Sequence, residues 1–169
     1  MIPGLSPLGA IHTLISLVAV GAGIWAFVRD KAIIPDNSLG KTYVWATVLT
    51  CLTGFGIFRH GGFGAPHALG IITLLVLALA AFAWRRKPHG AAWAYVATAG
   101  YSLTFFFHMI PGFTETFTRV PVGAPYFTGP EDPALQKVIG VVFAIFLVGV
   151  TLQLTALYRS RRALPGAPA

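Results

Sequence analysis

Charge is the scarcest feature of this 169-residue chain: Asp, Glu, Lys and Arg together make up 10% of it, and only five residues are acidic. An ordinary soluble domain carries about 25% charged residues, so a water-soluble globule of this size is excluded. Cysteine is nearly absent. The single Cys51 lies inside an apolar run, which removes both a disulfide framework and a cysteine-based metal site. The chain also lacks a serine nucleophile in a recognisable elbow, a glycine-rich phosphate loop after a strand, and any His-Glu-x-x-His pair. Acyl-transfer and nucleotide chemistry have no support in their absence.

What is present is apolar. Hydrophobic residues make up 56% of the chain and the mean hydropathy is +0.74. A spanning helix needs about 20 mainly apolar residues, and five stretches meet that need: Leu8 to Val28, Thr42 to Phe58, Pro66 to Trp84, Ala91 to Ile110 and Leu135 to Tyr158. Between them lie breakers: Pro35, Asp36 and Asn37; Gly61, Gly62 and Gly64; Lys87, Pro88 and His89; and a longer loop from Pro111 to Pro133. The expected fold is all-α, one polytopic transmembrane bundle of about five helices filling residues 1–169. Met1 to Leu8 has no Lys or Arg, and no small-residue cleavage site follows the first run, which is therefore expected to stay as an anchor.

The net charge of +7 does not point to nucleic acid, because the basic residues sit at the ends of apolar runs. Arg29, Lys31, Lys41, Arg85, Arg86, Lys87, Arg159, Arg161 and Arg162 fall on one side of the membrane, and Arg59, Arg119 and Lys137 on the other. Cytoplasmic loops retain Lys and Arg. The expected orientation therefore has the N-terminus outside and the C-terminus cytoplasmic, in a bacterial plasma (inner) membrane. Trp25, Trp45, Trp84 and Trp93 fall near the same cytoplasmic ends, where indole favours the interface.

With that orientation, His12, His60, His67 and His108 gather at the outer ends of the first four helices, and only His89 is cytoplasmic. His60 and His67 bracket a glycine-rich turn expected to bring their rings together. His108, Thr104 and Tyr101 share one helix face, as do His12, Ser16, Ala19 and Gly23. Neutral imidazole suits Zn, Cu and Fe, and a b-type haem takes axial histidines from opposing helices. His12, His67 and His108, with Tyr101 on the same wall, are the candidate haem-binding residues. His12, His60, His67 and His108 are the candidates for a transition metal. The rival reading makes these histidines helix-packing residues bonded to neighbouring hydroxyls or carbonyls. Glu115, Glu131 and Asp132 in the outer loop would supply the acid that a zinc-dependent membrane hydrolase needs, or would simply be solvated.

Leu39-Gly40-Lys41-Thr42-Tyr43, followed by Gly61-Gly62-Phe63-Gly64-Ala65-Pro66-His67-Ala68-Leu69, resembles a bacterial family of multi-pass membrane proteins catalogued as domain of unknown function 2306, and His12 fits the same pattern. The resemblance implies a histidine-bearing membrane bundle over most of the first four helices. Asp36-Asn37-Ser38 stand where that family tends to carry a His-Arg pair, a departure that argues against a second haem. The expected role is electron transfer or support of a respiratory complex, with quinone, a periplasmic redox protein or a larger membrane complex as partner. A cofactor-free structural or assembly subunit and the zinc hydrolase are the alternatives, and whether the chain is an enzyme stays open.

Overall fold

A computed structural model describes residues 6–58 and 62–163, and within them it is helical, with no strand. Five α-helices follow one another: α1 (Pro7–Asp30), α2 (Ser38–Gly54), α3 (Ala65–Arg86), α4 (Ala91–Phe117) and α5 (Pro133–Arg162), with a 3-10 turn at Lys87–His89 between α3 and α4. Three are long and apolar enough to cross a membrane: α1, α3 with its following turn, and α5. Of the other two, α2 has only 17 residues, and α4 carries Tyr101, Ser102, Thr104 and His108 in its interior.

Local chemistry sets the ends. The side chain of Ser6 caps α1 by accepting from the Gly9 amide at 3.1 Å, and Pro7 takes the first helical position. Asn37 accepts from Gly40 at 2.8 Å and so starts α2 at Ser38, four residues before the expected Thr42. That helix ends at Gly54, short of the expected Phe58, because Phe55 and Gly56 turn back onto the Cys51 and Thr53 carbonyls. Gly40 is required by a close approach: a Cβ there would lie 1.9 Å from the Ile34 carbonyl oxygen.

Helix α4 differs most from expectation. It runs through Pro111 to Phe117, where a break after Ile110 is expected. Pro111 removes one helical donor, but the extension is held from outside the helix. Phe117 packs edge-on against Tyr126 and Phe127, at 5.9 and 5.8 Å, and its carbonyl accepts from the Phe127 amide at 3.1 Å.

Helices α1 and α2 pair along their length, as do α3 and α4, and the two hairpins join through α2 with α3 and α1 with α4. The result is a ring in the order α1, α2, α3, α4, with α2 and α4 diagonal to each other. Helix α5 lies outside the ring against α4. Its Gln153 links the Ser102 hydroxyl of α4, at 2.7 Å, to the Lys31 carbonyl after α1, also at 2.7 Å.

The side-chain distribution is inverted relative to a soluble bundle. The buried set is dominated by small and hydroxylated residues, such as Ala19, Ala26, Ala80, Ala97, Thr47 and Thr104, while Leu14, Trp45, Leu75, Ile145 and Leu152 face outward. Small residues let backbones approach, as where Gly100 of α3's partner helix meets Ala80, and polar residues turn inward when the surroundings are hydrocarbon. Exposed apolar side chains on every helix would aggregate a soluble protein. This is the surface of a membrane protein.

Candidate functional site

His12, His67 and His108 lie toward one end of the four-helix ring, called here the histidine end; the opposite end carries Arg29, Arg85 and Arg86. His60 lies outside the described residues, and with it the expected approach of its ring to His67.

Across the ring axis, α2 and α4 meet through side chains alone. The Tyr43 hydroxyl and Thr104 Oγ1 are 2.8 Å apart, and Thr47 Oγ1 and His108 Nε2 are 3.0 Å apart. Tyr43 and Thr47 are one turn apart on α2, and Thr104 and His108 one turn apart on α4, so two parallel helices match rung for rung. Because the Thr104 hydroxyl donates to the Tyr101 carbonyl, Tyr43 must be the donor in the first rung.

His12 reaches α2 one level higher, with Nδ1 3.1 Å from Thr53 Oγ1. The Thr53 hydroxyl hydrogen is committed to its own helix, to the Leu49 carbonyl at 2.7 Å and the Thr50 carbonyl at 3.1 Å. His12 Nδ1 therefore donates. In the neutral ring this leaves the lone pair on Nε2, the arrangement by which metal-binding histidines are oriented from behind. Thr47 and Thr53 are six residues apart, about 9 Å along the helix. His12 and His108 thus bond to α2 at different levels of that helix.

His67 has the opposite polarity. It is the third residue of α3, and its Nδ1 accepts from the Gly64 amide at 3.2 Å, the return half of a capping box. A ring nitrogen that accepts carries no proton, so neutral His67 bears its hydrogen on Nε2. That atom is buried and has no hydrogen-bond partner among the described residues, with the residue 7% exposed. Phe58 and Phe63 both stack on the imidazole, at 5.0 and 5.4 Å between ring centres.

Tyr101 does not join the histidines. It packs at the core with Ala22, Ala26, Ile33, Tyr43, Leu77 and Ala80, about 10 Å along α4 from His108. Among the described residues no three His, Cys, Asp or Glu side chains gather into a metal-holding group. Two of the three acids on this side are already engaged: Glu115, in the last turns of α4, pairs with Arg119, and Asp132 accepts from the amides of Thr128 and Ala134. Those amides, Thr128 foremost, hold the Asp132 carboxyl below the usual carboxylate range.

The residues that sequence reasoning passed over are Tyr43, Phe58 and Phe63. A signal for Tyr43 was present, because Tyr43, Thr47, Thr50 and Gly54 recur at helical spacing on one face of α2. Compared with known protein families, curated proteins and solved structures, the chain matches none of them.

Proposed function

We propose that the chain is a five-span protein of a bacterial inner membrane, with its N-terminus outside and C-terminus cytoplasmic. In this reading the histidine end serves electron transfer, or supports a respiratory complex, by holding a haem or transition-metal centre near the outer face. The chain would then be a member of the membrane family that its glycine-rich turn resembles. The observation that carries the reading is the His12 hydrogen bond: Thr53 takes the Nδ1 proton and leaves a directed lone pair on Nε2.

A haem iron needs only one or two axial protein ligands, whereas structural zinc needs four and catalytic zinc three. The described residues therefore favour haem over a zinc hydrolase. His12 would be the first axial ligand. His108 is committed through Nε2 to Thr47, and His67 would have to give up its bond to Gly64 before its Nε2 could ligate. A bound haem would supply one-electron chemistry, and the protein a low-dielectric wall and ligand orientation.

The test is a visible spectrum and metal analysis of the protein purified in detergent from cells supplied with haem precursors. A Soret band or stoichiometric metal that is lost in His12→Ala and kept in His89→Ala supports the proposal. A colourless, metal-free protein that takes up neither added haem nor metal overturns it and leaves the cofactor-free assembly subunit.

A further inference from the structure

His67 is not explained by a cofactor held through a lone pair, because its free nitrogen is a donor. The Gly64 amide fixes this polarity: with Nδ1 accepting, Nε2 carries the hydrogen, and it is buried with no acceptor among the described residues. An unmade hydrogen bond of this kind costs about 1–3 kcal/mol. The counterpart that relieves it is an acceptor, so an oxygen fits where a metal cation does not.

Its surroundings narrow the kind of oxygen. The site lies in the first turn of α3, whose N-terminal partial positive charge favours an electron-rich atom. That turn has no Asp, Glu, Lys or Arg side chain, so an anion would find no permanent countercharge on the helix itself. The walls are aromatic. Phe58 and Phe63 stack on the His67 ring within 24° and 29° of parallel, and they are 59% and 69% exposed. Both belong to the connection between α2 and α3, so neither is part of a helix. A flat neutral molecule bearing a carbonyl, and arriving from the hydrocarbon phase, satisfies the donor, the rings and the absence of Asp, Glu, Lys and Arg from the first turn of α3 together.

We propose that His67 Nε2–H donates to a carbonyl oxygen of a lipid-phase ligand that docks against Phe58 and Phe63, a quinone headgroup being the best fit and a phospholipid ester the other source of the same chemistry. This rests on the membrane-redox reading for its physiological role, but on different atoms: His67 rather than His12.

The full chain in detergent is titrated with short-chain ubiquinone labelled with 13C at its carbonyls, and the carbonyl stretch is followed by difference infrared spectroscopy. A downshifted band that saturates with quinone is expected. In His67→Ala the apparent affinity should fall about tenfold, the loss of one such bond. His67→Gln can still cap Gly64, which keeps the fold testable, and a matching melting temperature would show that His67→Ala is folded. The same shift in carbonyl-labelled phosphatidylcholine without quinone would support the donor and assign the ester as its source. No shift with either ligand in a folded protein overturns the proposal. So does haem or metal ligation by His67, which would leave the redox reading intact. Loss of haem and metal in His12→Ala tests that reading separately.

Discussion

At the residue scale, hydrogen bonds across the ring axis decide how the diagonal helices register, and their two rungs differ in what a deletion leaves behind. Thr47→Val removes the partner of a buried imidazole nitrogen. Interhelical bonds in membranes contribute about 0.6 kcal/mol on average and at most about 1.7, but stranding a buried polar atom raises the penalty to about 1–3 kcal/mol. Tyr43→Phe strands much less, because Thr104 keeps its bond to the Tyr101 carbonyl. Unfolding in a detergent series should therefore show Thr47→Val as the more destabilising change. The double variant Thr47→Val with His108→Leu should recover part of the loss; strict additivity would show that the rung carries no energy. Outside the membrane, Asp132 gives a pH dependence of defined sign. Its folded pKa lies below its ordinary value of 3.8, so its contribution is present above that pH and is lost as pH falls through the folded value. The melting-temperature gap between wild type and Asp132→Ala should be open at neutral pH and close in strong acid.

At the scale of elements, the existence of five helices was legible because each apolar run is long and bounded by Pro, Gly or charge. Their ends were less so. Helix α2 shifts by a turn because Asn37 is a better cap than the apolar pattern can report, and α4 passes Pro111 because Phe117, Tyr126 and Phe127 hold its last turns from the loop. The histidine positions were readable, but their proton positions were not: that of His12 depends on Thr53, which reaches the ring only after α1 and α2 pack, and that of His67 on a local cap at Gly64 that the apolar pattern does not report. Packing also separates glycines that look alike in sequence. A Cβ on Gly100 would lie 2.9 Å from the Ala80 Cβ, whereas one on Gly149 of α5 would meet nothing within 4 Å. Gly100→Ala should destabilise by about 1–3 kcal/mol through overpacking. Gly149→Ala should be neutral or stabilising by up to about 1 kcal/mol. Equal effects in chemical unfolding would contradict the close α3–α4 contact.

At the scale of the molecule, the proposed five crossings and the three that helix length and apolarity alone support differ in where the charges would fall. If only α1, α3 and α5 crossed, the α2–α3 connection would share a side with the arginines of α1, and the turn carrying Arg85, Arg86 and Lys87 would lie outside. That would place a basic cluster on the side from which such clusters are excluded. It would also put α2, with Trp45, Leu49 and Leu52 exposed, in water. Five crossings would bring the basic clusters to one face, and there Trp84 has polar partners. Trp84 Nε1 donates to Asp36 at 2.9 Å, and the Lys87 ammonium lies 3.3 Å above the Trp84 ring. The two arrangements give opposite accessibility at two loops. With buried Cys51 replaced by alanine, a membrane-impermeant maleimide on intact cells should label Gly62→Cys, while His89→Cys should react only after permeabilisation. The reverse pattern would overturn the proposed arrangement, and would turn the histidine end of α3 toward the cytoplasm.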